Sequence, residues 1–195
     1  DLRLSRGLGD VYKRQSRVAK GRPLVNLIQL DSEERITSLL NVESFDAAGF
    51  VFMATIKGVV KKTPLEDFRL PRKNGKRAIK LDVKDELVGT KITDGKQHIM
   101  LISDAGKAVY FDEKDSRPLG RDTRGVKGIE LDDEQKVISL MVPGSEDEIL
   151  TVSENGFGKK SRITDFRKTK RGAKGVIAMQ LSERNGKLIS AVQVL

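Results

Sequence analysis

The sequence predicts an all-β, propeller-like fold of repeated four-stranded blades, and three observations predict it. One stretch is written three times: VFMATIKGVVKKTPLEDF from Val51, HIMLISDAGKAVYFDEKDS from His98 and EILTVSENGFGKKSRITDF from Glu148. The turn glycines Gly58, Gly106 and Gly156 recur at spacings of 48 and 50 residues, and Asp67, Asp115 and Asp165 each follow their glycine by nine. Such a period marks a repeat architecture, in which each unit buries its apolar face only against neighbours. Short Val-, Ile- and Leu-rich runs bounded by Gly, Asp, Asn or Lys read as strands, and no segment sustains a helical period over three turns.

Residues 1–15, DLRLSRGLGDVYKRQ, match no repeat and are set aside as an unassigned segment, a scar or an artefact fused to the chain. Strands are expected at 24–30 (LVNLIQL), 35–42 (RITSLLNV), 50–56 (FVFMATI), 86–93 (ELVGTKIT), 98–103 (HIMLIS), 136–142 (KVISLMV) and 187–194 (KLISAVQV). Ile56-Lys57-Gly58, Asp104-Ala105-Gly106 and Glu154-Asn155-Gly156 form tight turns between apolar runs, because glycine and asparagine tolerate the positive φ these turns require. Each unit has a second, basic half: Arg17-Val18-Ala19-Lys20-Gly21, Asn74-Gly75-Lys76-Arg77-Ala78, Arg124-Gly125-Val126-Lys127-Gly128 and Arg171-Gly172-Ala173-Lys174-Gly175 line up, each followed by an apolar strand. The order is strand, turn, strand, basic loop, strand, acidic turn, strand, which is the arithmetic of a propeller blade. The repeats fall at 16–45 (the tail half of a unit), 50–94, 97–143 and 147–195.

Composition narrows the function classes. Of 195 residues 37% are hydrophobic, enough for a core, and aromatics are scarce, so packing rests on Val, Ile, Leu and Met. Lys and Arg number 37 against 28 Asp and Glu, a net charge of +9, which points to a polyanionic partner. The absence of cysteine excludes a disulfide frame, a thiolate nucleophile and a Cys-type zinc site, and fits a reducing cytoplasm. No apolar run approaches the ~20 residues of a membrane helix, so no membrane partner is expected.

The charge is segregated. Six basic residues and no acid lie between Arg69 and Lys80, including Arg72, Lys73, Lys76 and Arg77; Arg117, Arg121, Arg124 and Lys127 face only Asp122; and Arg167, Lys168, Lys170, Arg171 and Lys174 crowd 167–174. Lys20 and Arg22 belong to the first such loop. Acids cluster elsewhere, at 31–34, 132–134 and 145–148. If the repeats stack with one rotation, the basic loops share one rim, the footprint of a surface that reads a nucleic-acid backbone. The loop glycines let the backbone approach a phosphate and offer amide donors. The hairpin lysines Lys61, Lys62, Lys159 and Lys160 either join that surface or are outward strand positions keeping an edge soluble; the residues leave both open.

Catalytic chemistry has little to stand on. His98 is the single histidine and starts an apolar strand, Tyr110 has no adjacent base, and no cluster has metal-ligand spacing. There is no GxxxxGK[ST] loop for nucleotide hydrolysis. Catalytic and metal residues are therefore expected to be none. The rival to nucleic-acid binding is a propeller-like interaction scaffold for acidic protein partners.

The RGxKG loops, VAKGRPLVNLIQLDSEERITSLLNV, VFMATIKGVVKKTPLEDF, TRGVKGIELDDEQKVISLMV and RGAKGVIAMQLSERNGKLISAVQV strongly resemble the C-terminal domain of DNA gyrase A, from Ser16 to Leu195. The corresponding domain of topoisomerase IV, with weaker repeats, is the second match. The resemblance implies a β-pinwheel, incomplete here, in which a strand from one repeat completes the neighbouring blade. It also implies a basic rim that bends and wraps duplex DNA within a whole enzyme, a heterotetramer of gyrase A and gyrase B proteins on the bacterial chromosome in the cytoplasm. That topoisomerase cleaves and religates both strands, and its ATP and magnesium are used elsewhere, with no cofactor in this chain. Two features depart from the family. The Gln-Arg-Arg-Gly-Gly-Lys-Gly box of its first blade is absent, and Arg124–Gly128 and Arg171–Gly175 are weaker relatives of it. The breakage-reunion domain is absent too, so no catalytic tyrosine is carried over to Tyr12 or Tyr110.

Overall fold

A computed structural model describes residues 34–45, 48–70 and 75–194. Among these residues the regular structure is β, with three short 3-10 turns at Leu65–Phe68, Glu113–Asp115 and Ile163–Asp165. The expected strand at 35–42 does not form: 36–42 pairs with no described strand, although Leu40 and Val42 pack on the first blade. The segments 1–15 and 24–30 lie outside the described residues.

Each repeat opens with an antiparallel hairpin. β1 (Phe50–Thr55) pairs with β2 (Val59–Pro64), β4 (His98–Ser103) with β5 (Lys107–Asp112), and β8 (Glu148–Ser153) with β9 (Gly158–Arg162). The turns close on Gly58, Gly106 and Gly156, whose N–H groups donate to Thr55, Ser103 and Ser153 carbonyls at 3.0 Å. Their φ values of 78°, 73° and 81° lie in the left-handed region that glycine enters without steric cost. A third strand, β3 (Leu87–Thr93), β7 (Val137–Met141) or β11 (Leu188–Val194), returns along the first strand of its hairpin.

The fourth strand comes from the following repeat. β6 (Val126–Lys127) completes the sheet β3-β1-β2-β6, and β10 (Val176–Ile177) completes β7-β4-β5-β10. The third sheet, β11-β8-β9, has three strands among the described residues. The pairings Val60↔Val126 and Ala108↔Val176 set the true register of the basic loops. Gly125 and Gly175 are equivalent, and a Cβ at either would stand 2.5 Å from the carbonyl oxygen of Val60 or Ala108. Alignment by the RGxKG pattern is therefore corrected: in the last repeat, the KG pair and not the RG pair takes the place of Arg124-Gly125 against the second strand of the preceding hairpin. The closeness of two backbones, which only hydrogen in place of a side chain permits, decides the register.

Apolar layers lie between blades. Phe52, Ala54 and Val60 of the first blade pack against Ile99, Leu101, Val109 and Phe111 of the second, with the Phe52 and Phe111 ring centroids 6.5 Å apart. Met100, Ala108 and Tyr110 of the second pack against Ile149, Ile163, Phe166 and Leu188 of the third. Every blade is thus covered by its neighbour, as expected where no unit has a core of its own.

Candidate nucleic-acid interface

Three basic loops follow the 3-10 turns, and the second and third run into β6 and β10. Backbone bonds join them in file. Lys80 N–H donates to the Thr123 carbonyl at 3.0 Å, linking the first to the second; Glu130 N–H donates to Ala173 at 2.9 Å, and Gly172 N–H to Gly128 at 2.7 Å, linking the second to the third. Many acidic groups are engaged away from that file, at the hairpin turns. Asp85 accepts from Lys57 N–H at 3.1 Å, Asp104 from Lys136 N–H at 2.9 Å, Glu154 from Lys187 N–H at 3.0 Å, and Asp132 pairs with Lys107 at 3.6 Å.

The candidate cations divide into three groups. Arg77, Lys127, Arg167, Lys168, Lys170 and Lys174 are exposed and have no carboxylate partner among the described residues. A second group is exposed or half-buried and engaged. The Arg124 guanidinium meets Asp82 at 3.1 Å, Lys160 meets Glu148 at 2.5 Å, and Lys159 donates to the Ala178 carbonyl at 3.2 Å. Lys76 donates to the carbonyls of Asp67 and Arg69. Arg171 is half-buried with its guanidinium on the carbonyls of Asp115 and Lys127; Arg121, also half-buried, joins this group only through its backbone carbonyl, which accepts from Lys61. Lys20, Arg22, Arg72 and Lys73 lie outside the described residues.

Lys61 and Lys62 form the third group and correct both readings of the hairpin lysines: they are 0% and 4% exposed, on no surface and no edge. Lys61 donates to the carbonyls of Ala78, Arg121 and Thr123. Burial holds its pKa down to about 8, against the opposing pull of Asp122 and Asp67 and with the help of Arg121. Lys62 donates to the Glu113 carbonyl at 2.9 Å, lies 3.9 Å from the Glu113 carboxylate and stands 5.0 Å over the Phe50 ring. Its pKa is also lowered, by burial first, with Glu113 opposing. The repeat carried a mixed signal: Val109 and Tyr110 hold the same offsets in the second unit and are buried, whereas Lys159 and Lys160 hold them in the third and are exposed. Glu113, fully buried and accepting from Thr93 Oγ1 and Gln97 N–H at 2.7 Å each, was missed too.

Among the described residues no group of three His, Cys, Asp or Glu side chains could hold a metal ion. His98 stacks on Tyr110 with centroids 5.2 Å apart, and burial raises the Tyr110 pKa, so this pair packs the junction between the second and third blades. No helix of the described residues is long and apolar enough to cross a membrane.

Blades that borrow a strand from the following repeat, as the first two described here do, define a β-pinwheel. The model of the DNA gyrase C-terminal domain family, described as a beta-propeller, matches residues 9–43, 49–94, 97–143 and 147–194. The chain belongs to the DNA gyrase C-terminal domain family. The DNA gyrase A proteins of Klebsiella oxytoca and of Escherichia coli (strain K12) are each 46% identical to it over 179 residues, 92% of this chain and 20% of theirs. It thus spans about a fifth of the length of these curated relatives. Among solved structures, the C-terminal domain of DNA topoisomerase IV superposes with a TM-score of 0.83 at 27% identity, over 90% of this chain and 55% of that one. The DNA gyrase A C-terminal domain superposes with 0.79 at 26% identity, over 91% and 59%.

Proposed function

We propose that this chain binds duplex DNA along its file of basic loops and wraps it, as a non-catalytic part of a gyrase A protein. The observation that carries the reading is the set of exposed cations without carboxylate partners among the described residues, Arg77, Lys127, Arg167, Lys168, Lys170 and Lys174, on three loops that touch in succession. Charges so placed neutralise phosphates along a path, and the free energy gained offsets the cost of bending the duplex. Among the described residues no helix or aromatic cluster presents itself to a base edge, so recognition is sequence-tolerant. In this reading the rest of the gyrase A protein and a gyrase B protein supply strand cleavage and ATP-driven negative supercoiling. In this reading ATP and magnesium act there and not in this chain. The whole assembly works on the bacterial chromosome, in the cytoplasm.

The test is fluorescence anisotropy of labelled duplex at a series of salt concentrations. If all six of those cations meet phosphate, log K falls against log salt with a slope of about −5, from roughly −0.9 per phosphate. A flat line, or tighter binding to an acidic peptide than to duplex, overturns the reading in favour of a protein scaffold.

A further inference from the structure

Two cations, one buried in a hairpin strand and one half-buried in a basic loop, are engaged by backbone carbonyls and make related connections from opposite directions. Lys61 lies in β2 opposite Met53 and is fully buried. Its ammonium donates to Ala78 at 2.7 Å, Arg121 at 2.5 Å and Thr123 at 3.3 Å, all backbone carbonyls. Ala78 belongs to the first basic loop, and Arg121 and Thr123 belong to the second. Three acceptors match the three donors of an ammonium, which is what lets a cation stay inside. One side chain therefore ties two adjacent loops together.

At the next junction the equivalent position is Val109, opposite Leu101, and it has no donor to give. The tie comes instead from the third loop. Arg171 Nε donates to the Asp115 carbonyl at 3.0 Å and Nη1 to the Lys127 carbonyl. Lys127 belongs to the second loop and Asp115 to the 3-10 turn of the second blade. Two residues of different type, on different elements, thus make the same connection at successive junctions. Bonds from a charged donor are about twice as strong as neutral ones, so each tie is worth more than the backbone contacts beside it.

We infer that Lys61 and Arg171 are positioning residues that set the spacing of neighbouring basic loops, and so the path of a bound duplex, without neutralising phosphate themselves. The inference rests on the DNA-binding reading above and deepens it. It separates cations that attract the duplex from cations that shape the track it follows.

The test compares Lys61→Met, Arg171→Met and Arg171→Lys with Lys168→Met, a proposed contact, in the full chain. Each is titrated with a short duplex of roughly one helical turn and with one near the persistence length of about 150 base pairs, labelled at both ends for energy transfer. For the positioning variants the salt slope stays at the wild-type value and short-duplex affinity is unchanged. Long-duplex affinity falls about tenfold, the size of one lost charge-assisted bond, and the end-to-end distance grows. Lys168→Met instead lowers the slope by about 0.9. Arg171→Lys keeps the charge but not the fork, and behaves as Arg171→Met. Circular dichroism checks folding; should Lys61→Met fail to fold, the Arg171 variants decide. A slope reduced as in Lys168→Met, full rescue by Arg171→Lys, or unchanged long-duplex affinity and bending overturns the inference. Wild type that binds no duplex overturns the DNA reading itself.

Discussion

The buried pair between the first two blades gives the sharpest stability prediction. Glu113 sits in the 3-10 turn of the second blade, fully buried, held by Thr93 and Gln97 and 3.9 Å from the ammonium of Lys62 on the first blade. Replacing Glu113 by leucine leaves a buried cation with one carbonyl and the face of Phe50. Breaking a buried pair from one side costs about 3–5 kcal/mol, and the partners Lys62 retains place this case near 3. With a urea m-value of about 2 kcal/mol/M, the midpoint drops by roughly 1.5 M. The double variant Lys62→Met/Glu113→Leu removes both charges and returns to within about 1 kcal/mol of wild type, because apolar replacements of buried pairs are commonly neutral. The molecule makes that replacement itself: Tyr110 and Ile163 occupy the equivalent positions at the next junction, inside an apolar cluster. Urea unfolding followed by circular dichroism measures Glu113→Leu, Lys62→Met and the double variant. A midpoint shift below about 0.5 M for Glu113→Leu, or additive losses in the double variant, would refute the reasoning.

Two further expectations follow from the same geometry. Gly125→Ala puts a methyl 2.5 Å from the Val60 oxygen at φ +104°, whereas Gly75→Ala at φ +70° meets no atom within 4 Å. Thermal melts should show the first losing well over 1 kcal/mol and the second about 1 kcal/mol, since only conformational strain remains there; equal losses would mean that the close strand contact is unimportant. The Lys61 ammonium, its pKa held near 8 by burial against Asp122 and Asp67, gives a pH signature. The unfolded chain keeps that proton up to 10.5, so between about 8 and 10.5 the unfolded state binds more protons and this residue's contribution makes stability rise with pH. Over the same window its ties to the loop carbonyls lose their charge, so long-duplex affinity falls. Urea midpoints and anisotropy at pH 7 and at pH near 9.5 should show both trends in wild type; in Lys61→Met the loss of affinity is absent and the rise in stability is smaller, the remainder coming from Lys62, whose pKa burial also lowers.

The repeat, the hairpins and the turn glycines were legible because each is a local matter of apolar runs and positive φ. The expected strand at 98–103 matches β4 and the one at 50–56 ends one residue beyond β1. Strand exchange came from family resemblance, because nothing local distinguishes a strand added to its own sheet from one added to a neighbour's. Lys61 and Lys62 were misplaced for a physical reason: β2 is a central strand covered on both faces, so neither parity of its alternation reaches water. The third loop slipped because Arg171–Gly175 repeats the letters of Arg124–Gly128, while the positions that touch are set by the fixed distance from Gly125 to Gly175. How the loop cations divide between exposed and inward-facing was not legible, since that depends on which carbonyls the folded loops bring within reach.

Because β6 and β10 belong to the sheets before them, the stretch of sequence that repeats and the object that folds are out of phase. No segment cut at a repeat boundary carries a whole sheet; each would lack one edge and bring a spare edge for someone else. Cooperativity should therefore spread across neighbours as in links of a chain, and duplication or loss of a unit succeeds only when its breakpoints fall inside the basic loops, half a period away from where the sequence itself begins again.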